Sequence, residues 1–215
     1  MNLIITDFDG TFFDDNYLEN IKFIECIKDN YDFVIATGRN FKSLKQDLKI
    51  KCKYYICNDG GYILDSNEKL IYNNYINDAI IKIVYNRMKE LNYEEYFFDY
   101  INYFDTKINK NVNKLSIKIR DNNAFNDMNY ILKDLNNVHG YLSNNWINIL
   151  STDSKKEYAI EKILKLNNYE KIYVIGNEIN DYGMLEKYSG YLISKEKIEG
   201  YKTINNFLEL KKELN

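Results

Sequence analysis

The chain has 215 residues, a formal charge of −3, and 45% hydrophobic against 28% charged residues, which suits one medium domain or a core domain with a small insertion. That balance excludes a disordered chain and argues against a broad basic surface for nucleic acid. With no proline, one histidine (His139) and three cysteines (Cys26, Cys52, Cys57) in no framework spacing, the chain offers neither a proline-rich ligand nor a structural zinc site.

In chain order, Leu3-Ile4-Ile5 is a short apolar run ending at Thr6-Asp7 and predicts a buried strand. Leu18, Ile21, Ile24 and Ile27 recur at helical spacing. Phe33 to Ala36 predicts a second buried strand, Phe41, Leu44 and Leu48 a helix, and Tyr54 to Cys57 a third strand. Strand, helix, strand, helix, strand is the order of a parallel sheet with crossover helices, whose ligands bind at the carboxyl ends of the strands. The middle changes character. Ile80, Ile81, Val84, Met88 and Leu91 predict a helix, followed by β-rich runs over 96–104 and 115–119. A helix over 124–135 and strands at 138–142 and 146–150 come next. The α/β order then resumes, with a helix face at Ala159, Ile160, Ile163 and Leu164 and a strand over 172–175. A short helix at Met184-Leu185, a strand over 191–193 and a helix over 208–214 complete it. The expected fold is α/β: a Rossmann-like parallel-sheet core of residues 1–74 and 153–215, with an inserted α+β domain over 75–152.

Four strand ends carry chemistry. Asp7-Phe8-Asp9-Gly10-Thr11 places two carboxylates beside a buried strand. Such a pair repels unless a cation compensates, and hard oxygen ligands suit Mg²⁺. A carboxylate can also act as nucleophile, and its neighbour as acid and base. Gly10 permits a sharp turn. Thr37-Gly38 offers a hydroxyl and backbone N–H groups before a helix, a seat for phosphate. Lys155-Lys156 precedes the 159–164 helix face and can neutralise a phosphoryl group. Gly176-Asn177-Glu178-Ile179-Asn180-Asp181 offers further oxygen ligands. Each motif alone also reads as a polar turn; together they are the parts of phosphoryl transfer. His139 reads as a packing or surface residue, and Trp146 with the aromatics of 96–104 as sheet core, with a few of these tyrosines left as candidates to face the site. Arg39 either anchors its loop or reaches phosphate.

In these motifs the chain resembles the haloacid dehalogenase-like phosphatase superfamily, in its Cof-type branch. Asp7 to Thr11 matches DxDGT, Ala36-Thr37-Gly38-Arg39 matches ATGR, and Lys156 stands three residues before Ala159 as the third motif's lysine does. That register favours Lys156 over Lys155 without deciding between them. Asn58-Asp59-Gly60-Gly61 resembles the turn before this branch's cap, and Gly176 to Asp181 resembles GDxxND, with Asn177 where the family usually has aspartate. The resemblance implies that Asp7 attacks phosphorus and Asp9 serves as acid, then base. It implies that Thr37 and Lys156 hold the phosphoryl oxygens, with Gly10, Gly38, Asn58 and Asn180 around substrate. Mg²⁺ is implied on Asp7, the Asp9 carbonyl, Asn177 and Asp181, held more weakly for want of the Asn177 charge, with Asp181 taking a larger share. The expected activity is a Mg²⁺-dependent phosphatase for a small phosphorylated metabolite, either a sugar phosphate or a phosphorylated cofactor. The alternatives are a phosphotransferase or mutase, or a weakened phosphate-binding homologue. The N-terminus has no signal-peptide pattern and no run suits a membrane span. A cytoplasmic monomer or weak homodimer with reduced thiols is expected, without nucleic acid or membrane partners.

Overall fold

Alternation within the short apolar runs decides which side chains go to which face of the main sheet. In the computed structural model, which describes residues 1–120 and 123–214, β1 (Asn2–Thr6) sends Ile4 to one face and Leu3 and Ile5 to the other, all three fully buried. After β1 come α1 (Tyr17–Ile27), β2 (Tyr31–Ala36), α2 (Phe41–Asp47) and β3 (Tyr54–Cys57). An antiparallel pair follows, β4 (Tyr62–Asp65) and β5 (Leu70–Asn73).

The next elements are α3 (Asp78–Met88), β6 (Tyr93–Tyr100), β7 (Tyr103–Asp105), β8 (Lys114–Ile119), α4 (Ala124–Leu132), β9 (Val138–Ser143) and β10 (Trp146–Ser151). The chain then resumes with α5 (Lys156–Leu164), β11 (Ile172–Gly176), α6 (Tyr182–Lys187), β12 (Tyr191–Ile193) and β13 (Lys202–Ile204).

The first sheet runs β13-β12-β11-β1-β2-β3-β4-β5 and is parallel from β13 to β3. The chain winds outward from β1 through β2 and β3, then returns to its other side at β11. β1 therefore stands at the point where strand order reverses, and such a sheet opens its ligand crevice beyond the carboxyl end of that strand. The second sheet, β7-β6-β8-β10-β9, is antiparallel throughout. On one face, Phe98, Leu115, Ile117, Ile147 and Ile149 pack against Ile81, Val84 and Met88 of α3 and Ile131 of α4. The other face is polar and aromatic. Cross-strand register lines up Phe97, Ser116, Asn148 and Tyr141 in one row. The two connecting segments meet where Asn74 Nδ2 donates to Ser154 Oγ at 3.2 Å.

Several local expectations change. The 96–104 run is a hairpin, turning at Asn102 with φ 65°. The C-terminal segment is a 3₁₀ helix, Phe207–Lys212, rather than an α-helix. It buries Phe207 and Leu210, three residues apart, which is the 3₁₀ repeat. On α1, Leu18 is exposed while Tyr17 and Asn20 turn inward. Cys26, Cys52 and Cys57 are free thiols, and among the described residues no helix is long and apolar enough to cross a membrane.

Candidate active site

The sheet brings the expected residues together because four strands end at one edge. The Asp7 N–H donates to the Ile175 carbonyl at 2.9 Å, fixing the first strand end against β11. The loop then turns through Gly10 at φ 70°, while Phe8 and Phe12 fold inward and hold it from below.

Lys156 opens α5 and points beneath this loop. Its Nζ donates to Asp7 Oδ1 at 2.6 Å and to Asp181 Oδ1 at 2.7 Å. Asp7, Lys156 and Asp181 are 6%, 1% and 0% exposed. Burial pushes the Asp7 carboxyl up to about 8; Lys156 opposes that, while Asp181 and Asp9 reinforce it. Burial also works against the Lys156 charge, but Asp181, Asp7 and Asp59 outweigh it and raise its pKa. Lys155 points elsewhere, its Nζ 5.6 Å from the centre of the Tyr158 ring. Gly60, at φ 92°, packs so closely on this turn that a Cβ there would overlap the Lys155 main chain.

Asp181 departs from the expected metal role. Its Oδ2 accepts the N–H groups of Asn177 and Glu178 at 2.9 and 3.0 Å, and its Oδ1 takes Lys156. It approaches so closely because residue 176 is glycine, where a Cβ would sit 2.7 Å from Asp181 Oδ2. With both oxygens engaged and no exposed surface, Asp181 anchors Lys156 and the 176–181 loop. Asn58 also departs. Its side chain is buried, neither polar atom has a partner, and it does not line the cavity. Its neighbour Asp59 does not line the cavity either, but its carboxylate touches Gly38, Lys114, Tyr141 and Asn180, which do.

Asp9 is half exposed. Arg39 Nε and Nη2 donate to its two oxygens at 2.8 and 2.5 Å, and Arg39 Nη1 to Asp47 Oδ2 at 2.6 Å. The guanidinium lies 5.2 Å from the Phe8 ring centre. Arg39 is thus a loop anchor that orients Asp9. Thr37 Oγ1 accepts the Arg39 N–H at 3.1 Å, and Asn180 Nδ2 donates to Asp59 Oδ1 at 2.9 Å. Asn177 Oδ1 accepts from Thr11 Oγ1 at 2.9 Å, and its Nδ2 packs on Gly10. Among the described residues no group of three or more His, Cys, Asp or Glu could hold a metal ion. The oxygen donors that remain from the expected set are the Asp7 carboxylate, the Asp9 main-chain carbonyl and the Asn177 carboxamide, whose oxygen is shared with Thr11 Oγ1. That set fits Mg²⁺, which is bound by one or two carboxylates with water and substrate phosphate completing its shell.

Above these groups lies a cavity of about 590 Å³. Asp7, Asp9, Gly38 and Arg39 form its floor, and Lys114, Ser116, Asn148, Phe97 and Trp146 form its roof. Trp146, Phe97 and Phe104, expected in the sheet core, face the site. They lie on the alternate residues of strands whose other face is apolar. Sequence reading missed Lys114, Ser116, Tyr141 and Asn148. The alternation Lys114-Leu115-Ser116-Ile117-Lys118-Ile119 was the available signal of a strand with one polar face.

His139 lies behind the site, with Nε2 3.1 Å from the Ser154 carbonyl. Burial holds its pKa below 6.5; Lys155 adds to that, while Ser154, Asp59 and Glu157 oppose it. Because the folded pKa is the lower one, the unfolded chain takes up the proton first. Stability therefore falls as pH drops from above 6.5 toward the folded pKa. His139→Gln should flatten the thermal-midpoint profile between pH 8 and 5; a profile parallel to wild type would contradict this.

The comparisons agree with this architecture. The haloacid dehalogenase-like hydrolase family model matches residues 4–103 and 83–194. A haloacid dehalogenase-like hydrolase from B. subtilis superposes with a TM-score of 0.82 at 17% identity, over 100% of both chains. The sucrose-phosphatase from Synechocystis sp. PCC6803, in complex with sucrose and phosphate, has a TM-score of 0.74 at 16% identity, over 98% of this chain and 96% of that one. A haloacid dehalogenase-like hydrolase from Bacteroides thetaiotaomicron has 0.76 at 16% identity, over 91% and 89%. No curated protein matches the sequence. The family match spans both flanks of the second sheet, and the strand ends carry the family's motifs in order: the chain belongs to the haloacid dehalogenase-like hydrolase family, in its Cof-type branch.

Proposed function

We propose that the protein is a Mg²⁺-dependent phosphatase that hydrolyses a small phosphorylated metabolite through an aspartyl-phosphate on Asp7. Residues 1–74 and 153–215 are its catalytic core and 75–152 its cap. The observation that carries this reading is the buried Asp7 carboxylate on the cavity floor, with one oxygen held by Lys156 and Asp9 two residues away. Lys156 fixes Asp7 Oδ1, leaving Oδ2 to attack phosphorus. The attack forms the Asp7–phosphorus bond and breaks the bond to the leaving oxygen. Asp9, held beside the site by Arg39 and freed from one of its two Arg39 hydrogen bonds, gives that oxygen a proton, then takes one from the water that cleaves the intermediate. Thr37 and Gly38 seat the phosphoryl oxygens. Asp7, the Asp9 carbonyl and Asn177 would hold the Mg²⁺. When bound, Mg²⁺ offsets the repulsion between an anionic nucleophile and an anionic phosphoryl group. A cavity of about 590 Å³ suits a small ligand, and the sucrose-phosphatase likeness supports a sugar phosphate among the candidates.

The test is release of phosphate from an aryl phosphate with and without Mg²⁺, followed by a screen of phosphorylated metabolites. Mg²⁺-dependent release is expected, and no release at any Mg²⁺ concentration would overturn the reading. Asn177 adds a second expectation. Its carboxamide supplies an oxygen but no charge, so Asn177→Asp should lower the half-saturating Mg²⁺ concentration about tenfold. An unchanged activity-versus-Mg²⁺ curve would remove Asn177 from the ligand set.

A further inference from the structure

One buried carboxylate is touched by both sheets. Asp59 follows β3 with φ 52° and ψ 37°, a left-handed conformation that costs a residue other than glycine energy. It is 3% exposed. Burial acts to raise its pKa, but the charges of Lys114 and Lys156 and the hydrogen bonds from Tyr141 and Asn180 hold it below the ordinary value. A buried anion in a strained turn does nothing for packing; its partners account for it.

Those partners come from every side of the cavity. The Asp59 N–H donates to the Thr37 carbonyl at 3.0 Å, and a Cβ on Gly38 would lie 3.2 Å from both Asp59 oxygens. Asp59 therefore packs directly against the Thr37-Gly38 seat. Its Oδ1 accepts from Asn180, beyond β11, at 2.9 Å. Its Oδ2 accepts from the Tyr141 hydroxyl on β9 at 2.7 Å and lies 3.7 Å from Lys114 Nζ on β8. Lys114 Nζ also donates to the Gly38 carbonyl. Two further ties close the edges: Asn40 Nδ2 to Asp99 Oδ1 at 2.9 Å, and Ser143 Oγ to Glu178 Oε2 at 3.0 Å. Neither reaches the seat as Asp59 does.

We propose that Asp59 is a positioning residue that couples closure of the five-stranded sheet over the cavity to phosphate binding at Thr37-Gly38. With the sheet down, Tyr141 and Lys114 lock Asp59, which holds Asn180 and the seat in place. With the sheet lifted, Asp59 loses both partners and the seat loses its support. The proposal rests on the phosphatase reading for the identity of the seat and deepens it. A plain Coulomb view predicts the opposite sign, because removing an acid beside an anion site should tighten phosphate binding.

The chain's one tryptophan makes the test direct. Trp146 lines the roof, so its fluorescence reports closure. Inorganic phosphate is titrated with Mg²⁺ into wild type, Asp59→Asn, Tyr141→Phe and the double variant, with thermal melting in parallel. Asparagine tolerates left-handed backbone, so Asp59→Asn removes the charge and keeps the turn. Tyr141→Phe removes one hydroxyl and carries the test alone if Asp59→Asn does not fold. A saturable Trp146 response is expected in wild type. Each single variant should raise the half-saturating phosphate about tenfold, and the double variant should be no weaker than the weaker single. Unchanged or tighter binding in Asp59→Asn, unchanged binding in Tyr141→Phe, effects that multiply, or no response in wild type would each overturn the proposal. A Trp146 response without turnover of an aryl phosphate would instead remove the hydrolytic reading and leave the coupling standing.

Discussion

Asp7→Asn is expected to abolish phosphate release, by at least about a thousandfold in kcat, while leaving the fold intact. An amide has the shape of the carboxylate but not its nucleophilicity, so no aspartyl-phosphate forms. The fold should tolerate the change, because the amide keeps the shape of the carboxylate at the same buried position. Lys156 keeps Asp181 as a partner at 2.7 Å. A thermal midpoint close to that of wild type is therefore expected alongside the lost activity. Steady-state assay and calorimetry on the same preparation check both halves. Retained turnover would remove Asp7 as nucleophile, and a collapsed midpoint would show that its charge holds the fold.

Lys156→Met should have the largest effect on stability. Lys156 is buried, and its ammonium lies between Asp7 and Asp181 at 2.6 and 2.7 Å. Methionine fills similar space but leaves two buried acids without their shared cation. Breaking a buried pair in this way costs about 3–5 kcal/mol. For a chain of this size that corresponds to roughly 10 °C in Tm. Because Asp181 also holds the Asn177 and Glu178 N–H groups, the 176–181 loop should loosen as well. Adding Asp7→Asn to Lys156→Met removes one unpaired acid and should recover part of the loss. Lys155→Met, whose side chain lies over Tyr158, should change stability by less than about 0.5 kcal/mol. Equal midpoints for the two lysine variants would contradict the placement of Lys156.

The sequence made the inner strands legible because a fully buried parallel strand is a short unbroken apolar run. β1, β2, β3 and β11 each end such a run at a polar motif. β4 and β5 were not legible. The Asn58 to Gly61 turn looks like the end of an element, and the β5 edge leaves Leu70 and Ile71 exposed with no buried pattern to read. The site divides the same way. Asp7, Asp9, Thr37 and Lys156 stand in recognisable motifs. Asp181 was expected to share the metal because Gly176 to Asp181 resembles the GDxxND motif, and only its hydrogen bonds show both oxygens engaged. Asp59, Lys114 and Tyr141 meet across three strands and two sheets, a juxtaposition set by register and turn geometry, neither of which spacing along the chain reveals. Choosing Lys156 over Lys155 likewise depends on contacts between elements, since only Lys156 Nζ meets Asp7 and Asp181 while Lys155 Nζ lies by Tyr158.

The mechanism turns on a covalent intermediate at Asp7. Enzyme turning over an aryl phosphate with Mg²⁺ should be quenched in acid, which preserves an acyl phosphate, then digested and weighed peptide by peptide. A phosphoryl group is expected on the peptide containing Asp7 and absent from Asp7→Asn. A phosphoryl group on any other residue, or full turnover with Asp7 never modified, would contradict it.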